Sequence, residues 1–170
     1  MQGDIKSEVI EALKELKEAL KPKAVVFDLD SVLVDSSERY KKCQEEAAGS
    51  RKKFWECFLS DKYMDLDRPR EDVVKQLRSY LVRGYKIIIL TGRVRERQAR
   101  KTKQQLRKWN IYYHEIVFRD EGDLSKDHVY KVLQLRKLLD RYRIEAVFDD
   151  SERVLKTIKK NFPSIQTIKT

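Results

Sequence analysis

Two pairs of aspartates are the residues of this sequence best suited to metal and phosphate chemistry. Asp28 and Asp30 follow the short apolar segment 24–27, and Asp149 and Asp150 follow another apolar segment near the C-terminus. Either pair alone would fit a helix cap or an exposed surface. Four carboxylates at the ends of two buried strands repel one another, however, and Mg²⁺ relieves that repulsion because it is a hard cation that binds oxygen. We therefore predict a Mg²⁺ site at these four aspartates.

Residues suited to phosphate binding follow two further apolar segments. After the segment 86–90, the Thr91 hydroxyl and the Gly92 N–H are suited to hydrogen bonds with phosphate oxygens. The Arg93 guanidinium is suited to bidentate binding of a phosphate. A capped turn is the alternative interpretation. The polar residues after the other segment are Arg119, Lys126, Asp127 and Lys131. A lysine at this place would neutralise both a phosphate and an aspartyl phosphate formed from it.

The segments that position these residues alternate between strand and helix patterns. Short apolar runs indicate buried strands, and amphipathic spacing indicates helices. The predicted strands are 24–27, 86–90, 113–118, 145–148 and 165–168, and the predicted helices are 4–20, 69–83, 95–109, 127–140 and one before the last strand. This alternation predicts a Rossmann-like, doubly wound α/β fold, in which a parallel sheet has helices on both faces. Ligands of such folds bind at the carboxyl ends of the strands.

Two regions lie outside this alternation. Residues 1–22 are predicted to contain an N-terminal helix, which Pro22 ends. Residues 40–68 are predicted to form one or two extra helices, with the aromatic residues Phe54, Trp55 and Phe58 on one face, as a small cap inserted after the first strand. We expect residues 1–170 to form a single domain, because the length fits one domain and no linker composition is visible.

Charge and rare residue types restrict the remaining possibilities. The chain has 38 basic and 28 acidic residues, a net charge of +10 and a pI near 9.5. This charge favours polyanionic partners, although the cations are spread over every predicted helix. No membrane span or signal peptide is recognisable, so we expect a cytoplasmic protein without membrane contact. Cys43, Cys57, His114 and His128 lack metal-ligand spacing and are interpreted as structural. Nothing in the sequence predicts the oligomeric state.

In their order along the chain, these residues resemble the four motifs of the haloacid dehalogenase (HAD) phosphatases. The matching segments are 27–32 (Phe-Asp-Leu-Asp-Ser-Val), 90–93 (Leu-Thr-Gly-Arg), a downstream lysine, and 148–150 (Phe-Asp-Asp). One departure concerns residues 31–32, where Ser-Val stands in place of the family's usual Gly-Thr. A threonine that would steady the second aspartate is therefore missing.

The resemblance implies an order of chemical events and a set of metal ligands. Asp28 would be the nucleophile that becomes phosphorylated, and Asp30 would protonate the leaving oxygen and later activate water. Mg²⁺ would be held by Asp28, the carbonyl of Asp30 and Asp149, with Asp150 in support. What the sequence adds independently is a set of oxygen ligands, phosphate-binding cations and a nucleophile suited to phosphoryl transfer.

A closer resemblance is to the 3′-phosphatase domains of bacteriophage polynucleotide kinases. The stretch that ends at Lys131 resembles the third motif of that family. On this resemblance, Arg119 contacts phosphate, Asp127 orients the site, and Lys131 rather than Lys126 is the motif lysine. Arg39 falls at the position of a phosphatase arginine in the first loop, so the resemblance implies that it binds phosphate or substrate. The implied substrate is the 3′-phosphate end of a nucleic acid.

Three functions stay open at this level. The first is a Mg²⁺-dependent phosphatase of nucleic-acid ends, which the basic charge and the lack of room for a large lid favour. The second is a phosphatase of small metabolites or nucleotides, which a specificity cap at 40–68 would favour. The third is a non-catalytic nucleic-acid-binding module on the same fold, which would require the acidic pairs to be vestigial.

Overall fold

A computed structural model describes residues 2–170 of the protein. Seven strands form two sheets, and a parallel sheet of five strands lies at the centre. The strands are β1 (Lys23–Phe27), β2 (Val34–Asp35), β3 (Arg68–Pro69), β4 (Lys86–Val94), β5 (Glu115–Arg119), β6 (Arg143–Asp149) and β7 (Gln166–Lys169). The order across the sheet is β5-β4-β1-β6-β7, and β2 and β3 form a separate antiparallel pair. The central strand β1 is buried because sheet neighbours lie on both sides and helices on both faces.

Helices cover both faces of the sheet. They are α1 (Gln2–Leu20), α2 (Ser37–Ala47), α3 (Arg51–Phe58), α4 (Glu71–Val82), α5 (Arg95–Lys108), α6 (Asp127–Leu138) and α7 (Glu152–Asn161). Leu77 of α4 and Leu106 of α5 share one core cluster with Phe27. Leu135 of α6 and Ile158 of α7 belong to a second cluster. The predicted doubly wound α/β fold is therefore confirmed.

Two element boundaries differ from the sequence-based expectations. The strand predicted at 86–90 continues through Thr91, Gly92 and Arg93 to Val94 in β4, where its pairing with β5 shifts in register. The helix predicted to open at Pro69 begins at Glu71 instead. Pro69 is extended because it lies in β3, opposite Val34 of β2.

The region between β2 and β3 folds into α2, α3 and the short 3-10 helix Met64–Leu66. Cys43 of α2 and Cys57 of α3 form a disulfide bond, a pairing that the sequence analysis did not predict. The disulfide holds these two helices against each other close to the first loop of the site. The aromatic side chains of Tyr40, Phe54 and Phe58 pack together on the same helix pair.

Helix α1 stands apart from the body of the protein. Every side chain from Asp4 to Leu20 is exposed. Beyond its end, the Nζ atom of Lys21 donates a hydrogen bond of 2.7 Å to the Leu139 carbonyl, just after α6. Across residues 2–170, the structure contains no helix with the length and apolar character needed to span a membrane.

Candidate active site

The carboxyl ends of β1, β4 and β6 meet at one edge of the sheet and bring the aspartate pairs together. Phe27 is in register with Ile89 of β4 and with Phe148 of β6. The backbone N–H of Asp28 continues this pairing with a 3.0 Å hydrogen bond to the Phe148 carbonyl. Asp28 and Asp149 therefore leave adjacent strands at the same height.

Lys131 lies between the two strand-end aspartates. Its Nζ atom is 2.8 Å from Oδ2 of Asp28 and 2.5 Å from Oδ2 of Asp149. Burial by itself would lower the pKa of Lys131, but the Asp28 and Asp149 carboxylates raise it above its ordinary value. The lysine is therefore held in its charged form at the centre of the site. Burial raises the pKa of Asp28, against the opposing effect of Lys131.

Three of the four predicted metal ligands form one acidic group. Carboxylate oxygens of Asp28, Asp149 and Asp150 lie within 4.8 Å of one another. One lysine faces these three carboxylates, so a hard divalent cation fits the excess of negative oxygen ligands. The Asp30 carboxylate lies outside this acidic group, which leaves its backbone carbonyl as the atom that the HAD resemblance assigns to the metal.

Asp30 is instead held by two buried arginines. Oδ1 of Asp30 lies 2.5 Å from a guanidinium nitrogen of Arg39 and 2.7 Å from one of Arg93, and Oδ2 accepts a hydrogen bond of 3.0 Å from Arg93 Nε. Burial would raise the pKa of Asp30, but the charges of Arg93 and Arg39 lower it to about 2. Both arginine side chains are at most 1% exposed.

This placement changes the role expected for Arg39 and Arg93. From the sequence, both were expected to bind phosphate. In the structure, Arg39 uses its remaining donors on Asp67 and the Phe58 carbonyl, and Arg93 uses its own on Asp67 and the side chains of α5. Both side chains are surrounded by protein partners, so direct phosphate binding is not supported and we assign them to the support of Asp30.

Asp67 completes this network, and no motif or spacing in the sequence singled it out. Its Oδ1 accepts a hydrogen bond of 2.9 Å from Arg39, and its Oδ2 accepts one of 3.0 Å from Arg93 and one of 3.2 Å from Gln105. The side chain is fully buried. Asp67 therefore supplies the second negative charge that two buried guanidiniums require.

The buried face of α5 carries polar side chains, whereas the buried face of most helices is apolar. Gln98, Thr102 and Gln105 are all buried and share one face by their spacing of four and three residues. Thr102 and Gln105 each accept a 2.9 Å hydrogen bond from Arg93, and Gln105 also donates to the Met64 carbonyl. The helical spacing of these polar residues is visible in the sequence and could have indicated a buried polar network. A search for apolar stripes alone does not find it.

Thr91 and Gly92 both lie at the site, where Thr91 makes a hydrogen bond and Gly92 allows a close approach of Asp127. The Thr91 side chain is buried, and its hydroxyl oxygen accepts a 3.1 Å hydrogen bond from the backbone N–H of Arg93. A Cβ atom on Gly92 would lie 3.3 Å from an oxygen of Asp127, which is tighter than most such contacts. The absence of a side chain at Gly92 thus allows α6 to begin close to β4.

Arg119 at the end of β5 and Asp127 at the start of α6 form an ion pair beside Lys131. The Arg119 guanidinium lies 4.3 Å from the Tyr130 ring centre, 3.1 Å from the Asp127 carboxylate and 2.6 Å from the Ser125 carbonyl. Asp127 also lies 3.7 Å from Lys131. Lys126, the alternative motif lysine, is exposed at the start of α6.

The departure at residues 31–32 has a structural counterpart. Ser31 has a φ of 65°, in the left-handed region that favours glycine. Its carbonyl accepts a 2.8 Å hydrogen bond from Arg70, and its N–H donates one of 2.8 Å to the Val34 carbonyl. The support for Asp30 that a threonine would supply comes here from Arg39 and Arg93.

Comparison with known proteins identifies relatives of this arrangement. The sequence profile of the HAD superfamily, subfamily IIIB (acid phosphatase), matches residues 1–169. A search of curated proteins found no match. A chain of the Pnkp1/Rnl/Hen1 RNA repair complex is similar, with 25% identity and a TM-score of 0.66 over 88% of this chain and 42% of that chain.

Two further solved structures share the fold at lower identity. A HAD-superfamily hydrolase from Ehrlichia chaffeensis has 12% identity and a TM-score of 0.58, over 88% of this chain and 92% of that one. A predicted phosphatase from Clostridium acetobutylicum has 18% identity and a TM-score of 0.60, over 88% of this chain and 84% of that one. By contrast, the chain spans less than half the length of the RNA repair chains that it matches.

Proposed function

The chain belongs to the HAD superfamily, subfamily IIIB (acid phosphatase), and from that premise we propose that it is a phosphatase that hydrolyses phosphate monoesters through a phosphorylated Asp28 with the help of Mg²⁺. The observation that carries this proposal is the contact of Lys131 with both Asp28 and Asp149 at the carboxyl edge of the sheet. A nucleophile, a fixed cation and a group of metal ligands converge there, as phosphoryl transfer requires.

The first half of the reaction forms the phosphoenzyme. A carboxylate oxygen of Asp28 attacks phosphorus, and the bond from phosphorus to the ester oxygen breaks. Asp30, which is ionised in the free enzyme because its pKa is about 2, relays a proton from solvent to that oxygen. Lys131 balances negative charge on the phosphoryl oxygens while the bond forms. Arg119, whose guanidinium is paired with Asp127, serves as a further cation that binds the phosphate.

The second half releases phosphate and restores the enzyme. Asp30, again ionised, takes a proton from water, whose oxygen attacks phosphorus and breaks the bond to Asp28, and Asp30 then releases that proton to solvent. Arg39 and Arg93 hold the Asp30 carboxylate in one place for both proton transfers. Bound Mg²⁺ would be held by Asp28, Asp149, the Asp30 carbonyl and Asp150, and it would supply charge neutralisation of the phosphate.

A phosphatase assay with an aryl phosphate tests this mechanism. Asp28→Asn should fold normally and lose turnover, because an amide does not form the phosphoenzyme. Excess chelator should abolish wild-type activity, and added Mg²⁺ should restore it. The matched control is Asp140→Asn, an exposed aspartate after α6, which should keep full activity. Undiminished turnover of Asp28→Asn, or full activity in chelator, would overturn the mechanism.

For the substrate, we propose the 3′-phosphate end of a nucleic acid. Support comes from the 25% identity to a chain of an RNA repair complex and from the net charge of +10. The stretch from Arg119 to Lys131 also resembles the third motif of the polynucleotide 3′-phosphatases. The alternative is a small-molecule phosphate ester, which the match to the acid phosphatase subfamily favours. A non-catalytic binding module is disfavoured by the contacts among Asp28, Lys131 and Asp149.

The helix pair α2 and α3 adds a local argument for this substrate. We propose that residues 40–68 act as a small cap within a single-domain protein. Tyr40 and Trp55 are 45% and 44% exposed, and the Phe58 ring that packs against both lies 4.3 Å from the guanidinium of Arg39. The same two helices carry the exposed lysines Lys41, Lys52 and Lys53. Aromatic rings and positive charges together are typical of surfaces on which single-stranded bases stack.

A comparison of two substrates tests this assignment. An oligonucleotide with a 3′-phosphate should have a higher kcat/KM than a 3′-mononucleotide, because remote contacts to the backbone supply binding energy. That advantage should shrink as salt rises. Trp55→Ala should lower kcat/KM for the oligonucleotide by roughly tenfold and leave the aryl phosphate unaffected. Equal efficiency on both nucleotides would favour the small-molecule alternative.

The control for Trp55 is Tyr112→Ala. Tyr112 is 59% exposed and precedes β5, so it lies toward the sheet edge opposite the site. Its replacement should leave the oligonucleotide kinetics unchanged. A loss of the same size in Trp55→Ala and Tyr112→Ala would show a general surface effect and would contradict base stacking on α3.

A further inference from the structure

Helix α1 exposes a continuous apolar stripe. Six large apolar side chains of this helix are between 46% and 74% exposed, namely Ile5, Val9, Ile10, Leu13, Leu16 and Leu20. The other exposed large apolar side chains lie scattered over the elements of the body. The stripe is therefore the largest apolar surface on a single element of the described chain.

Helix α1 lacks the packing from which most helices in proteins gain their stability. Most helical stability in proteins comes from packing an amphipathic helix through its apolar face, and α1 has 19 residues with such a face. Nothing within residues 4–170 packs on this face. A partner molecule that buries the stripe would supply the missing stabilisation.

The charges of α1 restrict what that partner is. The helix carries five acidic and three basic residues, so its net charge is −2 within a chain of net charge +10. Helices that lie on anionic membranes carry lysines and arginines on their polar face. Nucleic acid likewise requires a basic surface. An anionic bilayer and a nucleic acid are thus both unsuited to this element.

We propose that α1 pairs with α1 of a second copy of the chain. Val9, Leu13, Leu16 and Leu20 are spaced by four, three and four residues, which is the a/d repeat of a coiled-coil seam. In an antiparallel pair, Val9 packs against the partner's Leu20, and Leu13 packs against the partner's Leu16. Ala12 and Ala19 flank the seam on one side and bring no charge to it.

The charge of the body selects the antiparallel arrangement. Each body is joined to the C-terminal end of α1, so a parallel pair would place two strongly basic bodies side by side. An antiparallel pair separates them by roughly the helix length, about 28 Å for 19 residues at 1.5 Å per residue. That separation exceeds the screening length of about 8–10 Å at ordinary salt.

The area and the location are both suitable for a dimer. Burying the six side chains removes roughly 600 Å² per copy, and about 1,200 Å² in total is the lower limit for a specific interface. Leu20 lies just before β1, at the sheet edge opposite the aspartates. Pairing through α1 therefore leaves the candidate active site open to substrate.

Light scattering and sedimentation equilibrium on the full chain test this proposal. The wild type should have twice the 20.3 kDa mass of the chain at high micromolar concentration. The double variant Leu13→Glu/Leu16→Glu should be monomeric and keep its aryl phosphatase activity, because neither side chain contributes to the core. Val82→Glu, at an even more exposed apolar residue of α4, should stay dimeric.

A cysteine experiment tests the orientation. A mixture of Val9→Cys and Leu20→Cys chains should form a disulfide between unlike chains, whereas Val9→Cys alone should not cross-link. A monomeric wild type at every concentration, or a double variant that dimerises like the wild type, would overturn the pairing. Cross-linking of Val9→Cys with itself would overturn the antiparallel arrangement.

Discussion

Asp30 and Asp67 do not contact each other directly, yet the same two guanidinium groups bind both of them. Arg39 and Arg93 each donate to both carboxylates, at distances between 2.5 and 3.0 Å. Asp67 is fully buried, whereas the Asp30 side chain is 20% exposed. Asp67 thus lies at the buried end of this network, and Asp30, the proposed acid and base, lies at the exposed end. We assign Asp67 a role in positioning Asp30.

Replacement of Asp67 should affect substrates according to their leaving group. In Asp67→Asn, two buried arginines lose a counter-charge and the orientation of Asp30 loosens. The value of kcat for an alkyl phosphate should fall by roughly 100-fold, because its leaving oxygen depends on protonation. The value for dinitrophenyl phosphate, whose leaving group needs no proton, should change little. Steady-state assays on both esters measure the difference.

The control for Asp67 comes from the same segment. Asp65→Asn removes an exposed carboxylate that pairs with Lys101, and it should leave both kcat values near the wild type. An equal loss on both esters in Asp67→Asn would mean that Asp67 is needed only for folding. That outcome would contradict its role in positioning Asp30.

Lys131 and Lys126 should differ sharply when each is replaced by alanine. Lys131→Ala removes the cation that contacts Asp28 and Asp149, so kcat for an aryl phosphate should fall by roughly 1,000-fold. Lys126→Ala removes an exposed side chain and should leave turnover close to the wild type. Circular dichroism serves as the folding control. The assignment would be reversed if Lys126→Ala were inactive and Lys131→Ala active.

The stability contribution of Asp30 should depend on pH. Its pKa is lowered from an ordinary value of 3.8 to about 2, so the ionised form stabilises the fold above pH 3.8 and that stabilisation is lost as pH falls toward 2. The shift corresponds to about 2 kcal/mol. Asp30→Asn should therefore be less stable than the wild type at pH 7, with a gap that narrows below pH 4.

Urea unfolding of both proteins between pH 7 and pH 3 measures this gap. Asp140→Asn is the matched control at an exposed aspartate, and its unfolding free energy should stay close to that of the wild type throughout. A gap for Asp30→Asn that stays constant down to pH 3 would show that the charge of Asp30 does not contribute to stability through Arg39 and Arg93.

Reduction of the disulfide should destabilise the helix pair and weaken the site. Cys43 and Cys57 are 14 residues apart, and closing a loop of that length stabilises a protein by about 2–3 kcal/mol. Phe58, which follows Cys57, accepts a hydrogen bond from Arg39, so kcat should fall as well. Thermal melts with and without reductant measure the effect. In Cys43→Ser/Cys57→Ser, the melting temperature should no longer respond to reductant.

The sequence by itself determined the sheet and the strand-end aspartates. Burial on both faces makes each inner strand a short apolar run, and a parallel sheet places the residue after each run at one edge. Asp28 and Asp149 were predictable for this reason, because their position depends only on local pattern and strand direction. The order of the motifs along the chain was enough to predict the family.

The tertiary structure alone decided what surrounds Asp30. Arg39, Asp67 and Arg93 come from three segments separated by 26 to 28 residues, and their contacts depend on how the region between β2 and β3 folds back over α5. No local sequence pattern encodes contacts between such distant segments. For this reason, Arg39 and Arg93 were predicted to bind phosphate, whereas the structure places them in the interior, next to Asp30. The Cys43 to Cys57 disulfide and the exposure of α1 were undetermined for the same reason, since both depend on which surfaces meet in the folded chain.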